Sequence, residues 1–451
     1  MIRTELKNLT RLAAPIAAAQ AGLALMGIID TAVVGRLGAG PLGAVGLANG
    51  LYFGLAVVGM GVVMGLDPLF AQAFGARDLP RARALLWQGL WLSLFVAIPI
   101  TICISLTPLL LAPFGISGAL AADARAFLYW RLPGLFPLLA FVALRAYLQA
   151  AGVTWPLVVA TVVANLANLG LDILFVFGGH GLLSFIPPMG AAGAGVATSL
   201  CTLLQVAVMA FAAARLQREA RPSRRPVRRD LRLALKLGAP VGLQMGAEVG
   251  VFALVGLFAG RLGDVSLAAH QIAIALASFT FCFAVGIGQA GSVRVGWAIG
   301  AGQSAAARLS GFVAIGAGAA FMALAALSFW FLPGPLSRIL TDQPSLLSAS
   351  ARLLAVVAVF EISDGIQGVS AGVLRGAGDT RFAFLANLAG HYAVGLPVAL
   401  WLSFHFGLGV LGLWWGLAAG LTAVAVALLW RFARLSSRPI IPLESHAPRQ
   451  A

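Results

Sequence analysis

Long apolar stretches, broken at intervals by clusters of glycine, proline and charge, follow one another along the chain to about position 432. Their apolar positions run on without the alternation of a half-buried strand. Each stretch reaches the roughly 20 residues that a helix needs to cross the hydrocarbon of a bilayer. Length and breakers together predict twelve helical spans, at 12–35, 45–68, 86–110, 126–149, 156–178, 191–214, 236–260, 267–291, 309–331, 347–374, 383–404 and 410–432. In lipid every backbone N–H and C=O must be satisfied within its own segment, so apolar runs of this length fold as helices. The expected fold class is an all-α integral membrane protein.

The second half of the pattern repeats the first. Pro15 in "LAAPIAAAQAG" and Pro240 in "LGAPVGLQMGA" lie 225 residues apart, as do the two copies of Gly-Arg-Leu-Gly at 35–38 and 260–263. At the same shift "FGARD" at 74 falls on "IGAGQ" at 299, and at 226 "LQAAGVT" at 148 falls on "LRGAGDT" at 374. The chain reads as a duplication: an N-lobe over 1–214, a basic linker over 215–235, a C-lobe over 236–432 and a tail over 433–451. With six spans each, both halves enter from the same side, which makes the repeat parallel. The expectation is two six-helix bundles flanking a cleft, and rocking would open that cleft to alternate sides, as a transporter requires. The Gly-Arg-Leu-Gly copies read as shared turn chemistry at the outer ends of spans 1 and 7. The stretch after position 178 reads as an outer loop followed by close packing through Gly190, Gly193 and Ala197, matched by Gly409, Gly412 and Gly416.

Composition agrees with a membrane location: 60% of residues are hydrophobic and 10% charged. The net charge of +15 is one-sided. Arg3, Lys7, Arg11, Arg77, Arg81, Arg83, the arginine-rich linker, Arg294, Arg308, Arg375, Arg381 and the C-terminal arginines all fall on one side of the twelve-span topology. That side is expected to be cytoplasmic, with both termini inside the inner (plasma) membrane. The arginines then set topology and meet anionic lipid, and no nucleic-acid partner is expected. The first apolar stretch runs into a full span and carries Asp30, so it does not read as a cleaved signal. The 3 cysteines, Cys103, Cys201 and Cys282, are spaced for neither a disulfide framework nor a metal site.

Acidic residues inside the spans carry the chemistry. Asp30, Asp172, Glu248, Glu361 and Asp364 each sit where a charge costs about 2.5–3.5 kcal/mol on insertion scales. They should face a wet cavity or one another. Asn165, Asn168 and Asp172 share one helical face, and Asp30 sits at a similar outer depth on span 1. Two such carboxyls can bind and release a proton. Asn165 could equally serve as an interhelical hydrogen bonder. The second half has Val255 at the position matching Asp30, and its carboxylates lie elsewhere: Glu248 one turn past Gln244, and Glu361, Asp364 and Gly368 along one face of span 10. His270 and His391 could titrate near neutral pH but read first as packing residues, and Asp67-Pro68 reads as shaping a helix end.

The motifs "DTAVVGRLG" at 30, "GLDPLFAQAFGARD" at 65, "NLANLGLDILFVFG" at 165, "AAHQIA" at 268, "GIGQAGSVRVGWAIGAG" at 286 and "LRGAGDTRF" at 374 resemble the multidrug and toxic compound extrusion (MATE) family, the second half being similar to its NorM-type branch. The resemblance covers almost the whole chain. It implies twelve helices in two lobes and export of cationic or amphiphilic compounds in exchange for sodium ions or protons. Residue by residue it maps Asp30, Asn168 and Asp172 onto the family's N-lobe cation site. Glu248 and Asp364 map onto the acidic pair linked to sodium. Where such members can carry a tyrosine one turn before that aspartate this chain has Phe360, which removes a hydroxyl from the sodium set.

Other classes fit less well. No Gly-x-x-x-x-Gly-Lys-Ser/Thr loop is present to bind ATP phosphates, so the driving energy is expected from an ion gradient without a cofactor. A membrane-embedded lipid-modifying enzyme would be expected to show clustered acidic or histidine ligands. A flippase of lipid-linked precursors would favour cavity arginines to hold diphosphate, whereas these spans present carboxylates. The expected partners are small organic cations, a coupling cation and membrane lipid, and the expected state is monomeric.

Overall fold

The computed structural model describes residues 1–113, 115–179, 184–216 and 223–444. The arginine-rich stretch at 217–222, the outer-loop residues 180–183 and the tail residues 445–451 lie outside these. Among the described residues, twelve helices are long and apolar enough to cross a membrane: α1 Ile2–Leu37, α2 Ala39–Gly75, α3 Leu79–Leu111, α4 Gly118–Ala150, α5 Trp155–Phe177, α6 Ala191–Leu216, α7 Arg228–Arg261, α8 Asp264–Gly300, α9 Ser304–Phe331, α10 Pro344–Gly376, α11 Thr380–His405 and α12 Gly409–Leu435. No strand occurs among the described residues.

Helix ends overshoot the apolar windows. α1 begins at Ile2, α7 begins at Arg228 inside the stretch read as linker, and α8 runs on to Gly300. Hydropathy marks where lipid ends, but backbone hydrogen bonding continues wherever side chains find partners. Asp230, in the first turn of α7, receives both guanidinium nitrogens of Arg81 at 2.7 and 2.8 Å, which anchors the extra turns. Several helices also change pitch. α2 tightens into a 3-10 turn over Met64–Leu66 before Asp67-Pro68 restarts it, and Asp67 pairs with Arg375 at 3.0 Å. α4 tightens over Leu132–Gly134, where Pro133 sits. α11 widens into π-helix over Ala389–Gly395 and again over Trp401–His405.

The chain forms two compact units, one of residues 18–66 and 78–242, the other of residues 1–17, 67–77 and 243–451. In the first, α5 shows how these helices sort their faces. Val159, Val162, Leu166, Leu169 and Ile173 are exposed, whereas Ala160, Thr161, Ala164, Asn165, Asn168 and Asp172 are buried. The large apolar residues turn outward, as lipid rewards, and small and polar ones turn inward. Gly193 brings α6 against α5 so closely that a β-carbon there would fall on the Phe175 carbonyl, and Gly195 does the same against Phe127 of α4. In the second unit Gly412 and Gly420 of α12 meet the backbone of α11 at its two π segments, and Gly416 meets Ala399 in the α-helical stretch between them. Residues 440–443 are tied to this unit by main-chain donors: Ile440 N to Ser304 Oγ at 3.2 Å and Leu443 N to Gln72 Oε1 at 2.9 Å.

The duplication extends to backbone torsions. Gly38 and Gly263, the closing glycines of the two Gly-Arg-Leu-Gly copies, take φ of 113° and 105° at the starts of α2 and α8. Arg77, with φ 58°, falls 225 residues before Gly302, with φ 72°. Gly190 and Gly409 correct part of the packing pattern read from the sequence. Both have φ 57° and meet no close neighbour, so they turn the chain into α6 and α12, and the close contacts belong to Gly193, Gly412 and Gly416.

Candidate functional site

In the first unit α1, α5 and α6 bring one carboxylate and its partners together inside the bundle. Asp30 Oδ1 accepts from Asn168 Nδ2 at 2.9 Å, and Oδ2 accepts from Thr198 Oγ1 at 3.1 Å. All three residues are buried. Asp172, one turn beyond Asn168, is completely buried, interacts directly with Asp30, and has no well-aligned hydrogen-bond partner for either oxygen. The side-chain oxygens of Asn165 and Asn168 are likewise buried without partners. One face of α5 therefore presents unsatisfied oxygens beside a second carboxylate. Ionised carboxylates only accept hydrogen bonds, so two of them side by side lack a donor, and a proton or another cation supplies what is missing.

Thr198 was not legible as a site residue. Its hydroxyl lies within reach of both Asp30 Oδ2 and the Ala194 carbonyl, at 3.1 and 2.8 Å, yet it owns a single proton. With Asp30 ionised that proton can go to the carboxylate. With Asp30 protonated the acid can donate to the threonine oxygen, and the threonine proton can return to Ala194. The hydroxyl suits either charge state. Asn165 does something different, since its Nδ2 donates to Gly22 O at 2.9 Å and to Thr161 O at 2.8 Å, which fastens α5 to α1.

The second unit gathers its carboxylates around α7 and α10. Glu248 Oε1 accepts from Gln244 Nε2 at 3.2 Å, from Gln367 Nε2 at 2.7 Å and from Asn387 Nδ2. Gln367 and Asn387 come from α10 and α11, and nothing in the sequence tied them to Glu248. Asp364 is buried and interacts with both Glu248 and Glu361. Glu361 Oε2 accepts from Thr280 Oγ1 at 2.8 Å, and that hydroxyl also reaches the Ala277 carbonyl at 2.8 Å. This is the same two-way threonine as at Asp30. Among the described residues no group of three or more His, Cys, Asp or Glu converges as a metal set. A sodium ion at Glu248 and Asp364 would thus need amide or hydroxyl oxygens as well, and rotating the amides around Glu248 would present them.

Phe360 is buried, edge-on to Phe252 and Trp414. It serves aromatic packing beside this cluster. His270 accepts from Trp414 Nε1 at 3.2 Å through its Nδ1, which fits a neutral imidazole packed against the indole. His391 is buried in the π segment of α11 near Phe252.

The model of the family described as MatE matches residues 15–174 and again 240–401, one match in each half of the duplication. Multidrug resistance protein NorM of Burkholderia vietnamiensis is 38% identical over 431 residues, covering 94% of this chain and 92% of that protein. A probable multidrug resistance protein NorM of Pseudomonas aeruginosa is 37% identical, covering 96% and 90%. Among solved structures, the eukaryotic MATE transporter AtDTX14 superposes with a TM-score of 0.85 at 22% identity, covering 96% of this chain and 98% of that one. The Vibrio cholerae MATE transporter VcmN in its bent form gives 0.85 at 20% identity, covering 97% and 98%. These likenesses in structure confirm the fold.

Proposed function

Because the chain belongs to the MatE family, we propose that it exports lipophilic organic cations by antiport, in exchange for a proton taken up at the Asp30–Asp172 pair. Membership makes it a multidrug efflux transporter of the NorM kind and not an enzyme. The coupling rests on one observation: a hydrogen-bonded carboxylate beside a second, buried carboxylate whose oxygens have no well-aligned hydrogen-bond partner. Negative charge without a donor attracts either a proton or a cationic cargo, and the two compete. From the outward side a proton neutralises the pair and lowers its affinity for the cargo, which leaves. From the inward side the proton is lost and new cargo binds. Only such a difference in affinity between states can drive the cycle. The basic residues of the linker and the inner turns orient this reading, with both termini on the cytoplasmic side of the plasma (inner) membrane.

A second reading, sodium coupling through Glu248 and Asp364, is favoured by the three amides converging on Glu248. Proteoliposomes loaded with tetraphenylphosphonium, with proton and sodium gradients imposed independently, separate the two. The expected result is acceleration by the proton gradient alone and loss of that response in Asp30→Asn. Acceleration by sodium alone would move coupling to the second unit, and indifference to both gradients would reject antiport.

A further inference from the structure

Arg131 is a cation inside α4 that the proposed antiport does not yet use. Contacts of its neighbours and of its own side chain place it. The Trp130 carbonyl accepts from Ser199 Oγ at 2.8 Å, and Gly195 of α6 lies tight against Phe127 and Trp130. This end of α4 is therefore pinned to the stretch of α6 that carries Thr198, whose hydroxyl reaches Asp30. The guanidinium itself rests 4.8 Å from the centre of the Tyr52 ring and 6.0 Å from that of Phe127. One of its terminal nitrogens, Nη1, is buried without a hydrogen-bond partner. Its field reaches Asp172 and Cys201, both of which also feel Asp30.

A guanidinium stays protonated at any physiological pH, and cradling by two aromatic rings stabilises it away from water. The buried N–H of Arg131 and the Asp172 oxygens, which lack a well-aligned donor, thus belong to one charge cluster within one bundle. The Asp30–Asp172 pair supplies its negative charge, and at Asp172 the positive charge of Arg131 opposes the negative charge of Asp30.

We propose that Arg131 is the resident counter-cation of the Asp30–Asp172 pair, and that cargo binds there in competition with its positive charge. The inference rests on the reading of that pair as the cargo-linked site. Arg131 makes the site selective: it offsets part of the negative charge, so a cation that binds must bring apolar contacts as well as charge. Arg131 also weakens cargo binding enough to permit release, because a site tuned only for tight binding would hold its cargo. It is a positioning residue in this scheme, since it acts through the aspartates.

The test compares a cation with a neutral ligand of similar shape on the purified full-length protein. Binding of tetraphenylphosphonium and of triphenylphosphine oxide is measured for wild type, Arg131→Gln, Arg131→Lys and Asp30→Asn. Removing one screened charge near the site is expected to tighten phosphonium binding about fivefold to tenfold in Arg131→Gln, with the neutral oxide unchanged. Arg131→Lys keeps the charge and is expected to keep the wild-type ratio of the two affinities. A merely structural arginine would instead weaken both ligands together, and that result would overturn the proposal, as would the Gln-type ratio in Arg131→Lys. Loss of phosphonium binding in Asp30→Asn with no selective change in Arg131→Gln removes this inference alone. Wild-type phosphonium binding in Asp30→Asn removes the site reading and this inference with it.

Discussion

The most instructive residue is Thr198, because its single proton has two acceptors within reach. Asn165, Asn168 and Asp172 could be read from the chain, since polar residues at helical spacing inside an apolar run have no other purpose than to face inward. Thr198 could not. In "AAGAGVATSL" a threonine is an ordinary residue that bonds back to its own helix, as this one also does, and only the approach of α6 to α1 turns it toward Asp30. Arg131 was hidden for a similar reason, in the second turn of the predicted span 126–149, where an arginine reads as reaching back to the membrane surface. The hydroxyl's bond to the ionised carboxylate is stronger than the one it accepts from the protonated acid, so Thr198→Val should favour the protonated pair and weaken tetraphenylphosphonium binding by up to roughly tenfold. Thr198→Ser, which keeps the hydroxyl, should stay within about twofold of wild type. Equal affinity for wild type and Thr198→Val would show that the hydroxyl is idle.

At the scale of helices, existence was legible and detail was not. Apolar runs announced all twelve, but hydropathy could not see that α7 starts on an ion pair at Asp230 or that α11 widens into π turns, since a π turn has no composition of its own. The glycines divide the same way. Gly416 lies where a β-carbon would fall on Ala399 of α11, whereas Gly316 on α9 has nothing near it. Gly416→Leu should therefore cost more than about 2 kcal/mol by overpacking and lower the thermal unfolding midpoint in detergent. The same change at Gly316 should stay within about 0.5 kcal/mol. Equal midpoints for the two variants would contradict this account of α11–α12 packing.

Across the whole molecule, one duplicated scaffold carries two different clusters. The repeat is legible at Pro15 and Pro240 and returns in the paired torsions of Gly38 with Gly263 and Arg77 with Gly302. The chemistry is not duplicated. The first unit places Asp30 beside Asp172, while the second builds on Glu248, Glu361 and Asp364 and has Val255 where Asp30 would fall. Threonine partners fit a carboxyl that gains and loses a proton, at Asp30 and at Glu361. The three amide donors around Glu248 fit an anion, and turned over they fit a bound cation. Competition of cargo and proton for the Asp30–Asp172 pair is central to the proposed cycle. It is tested most directly by adding tetraphenylphosphonium to the purified protein in weak buffer and following the protons released. Close to one proton should leave for each cation bound at a pH below the midpoint of the cargo-free pair and above that of the cargo-bound pair, falling to about half a proton at the cargo-free midpoint itself, and none should leave from Asp30→Asn. Saturating phosphonium binding to the wild-type protein with no proton release across the pH range would contradict the claim.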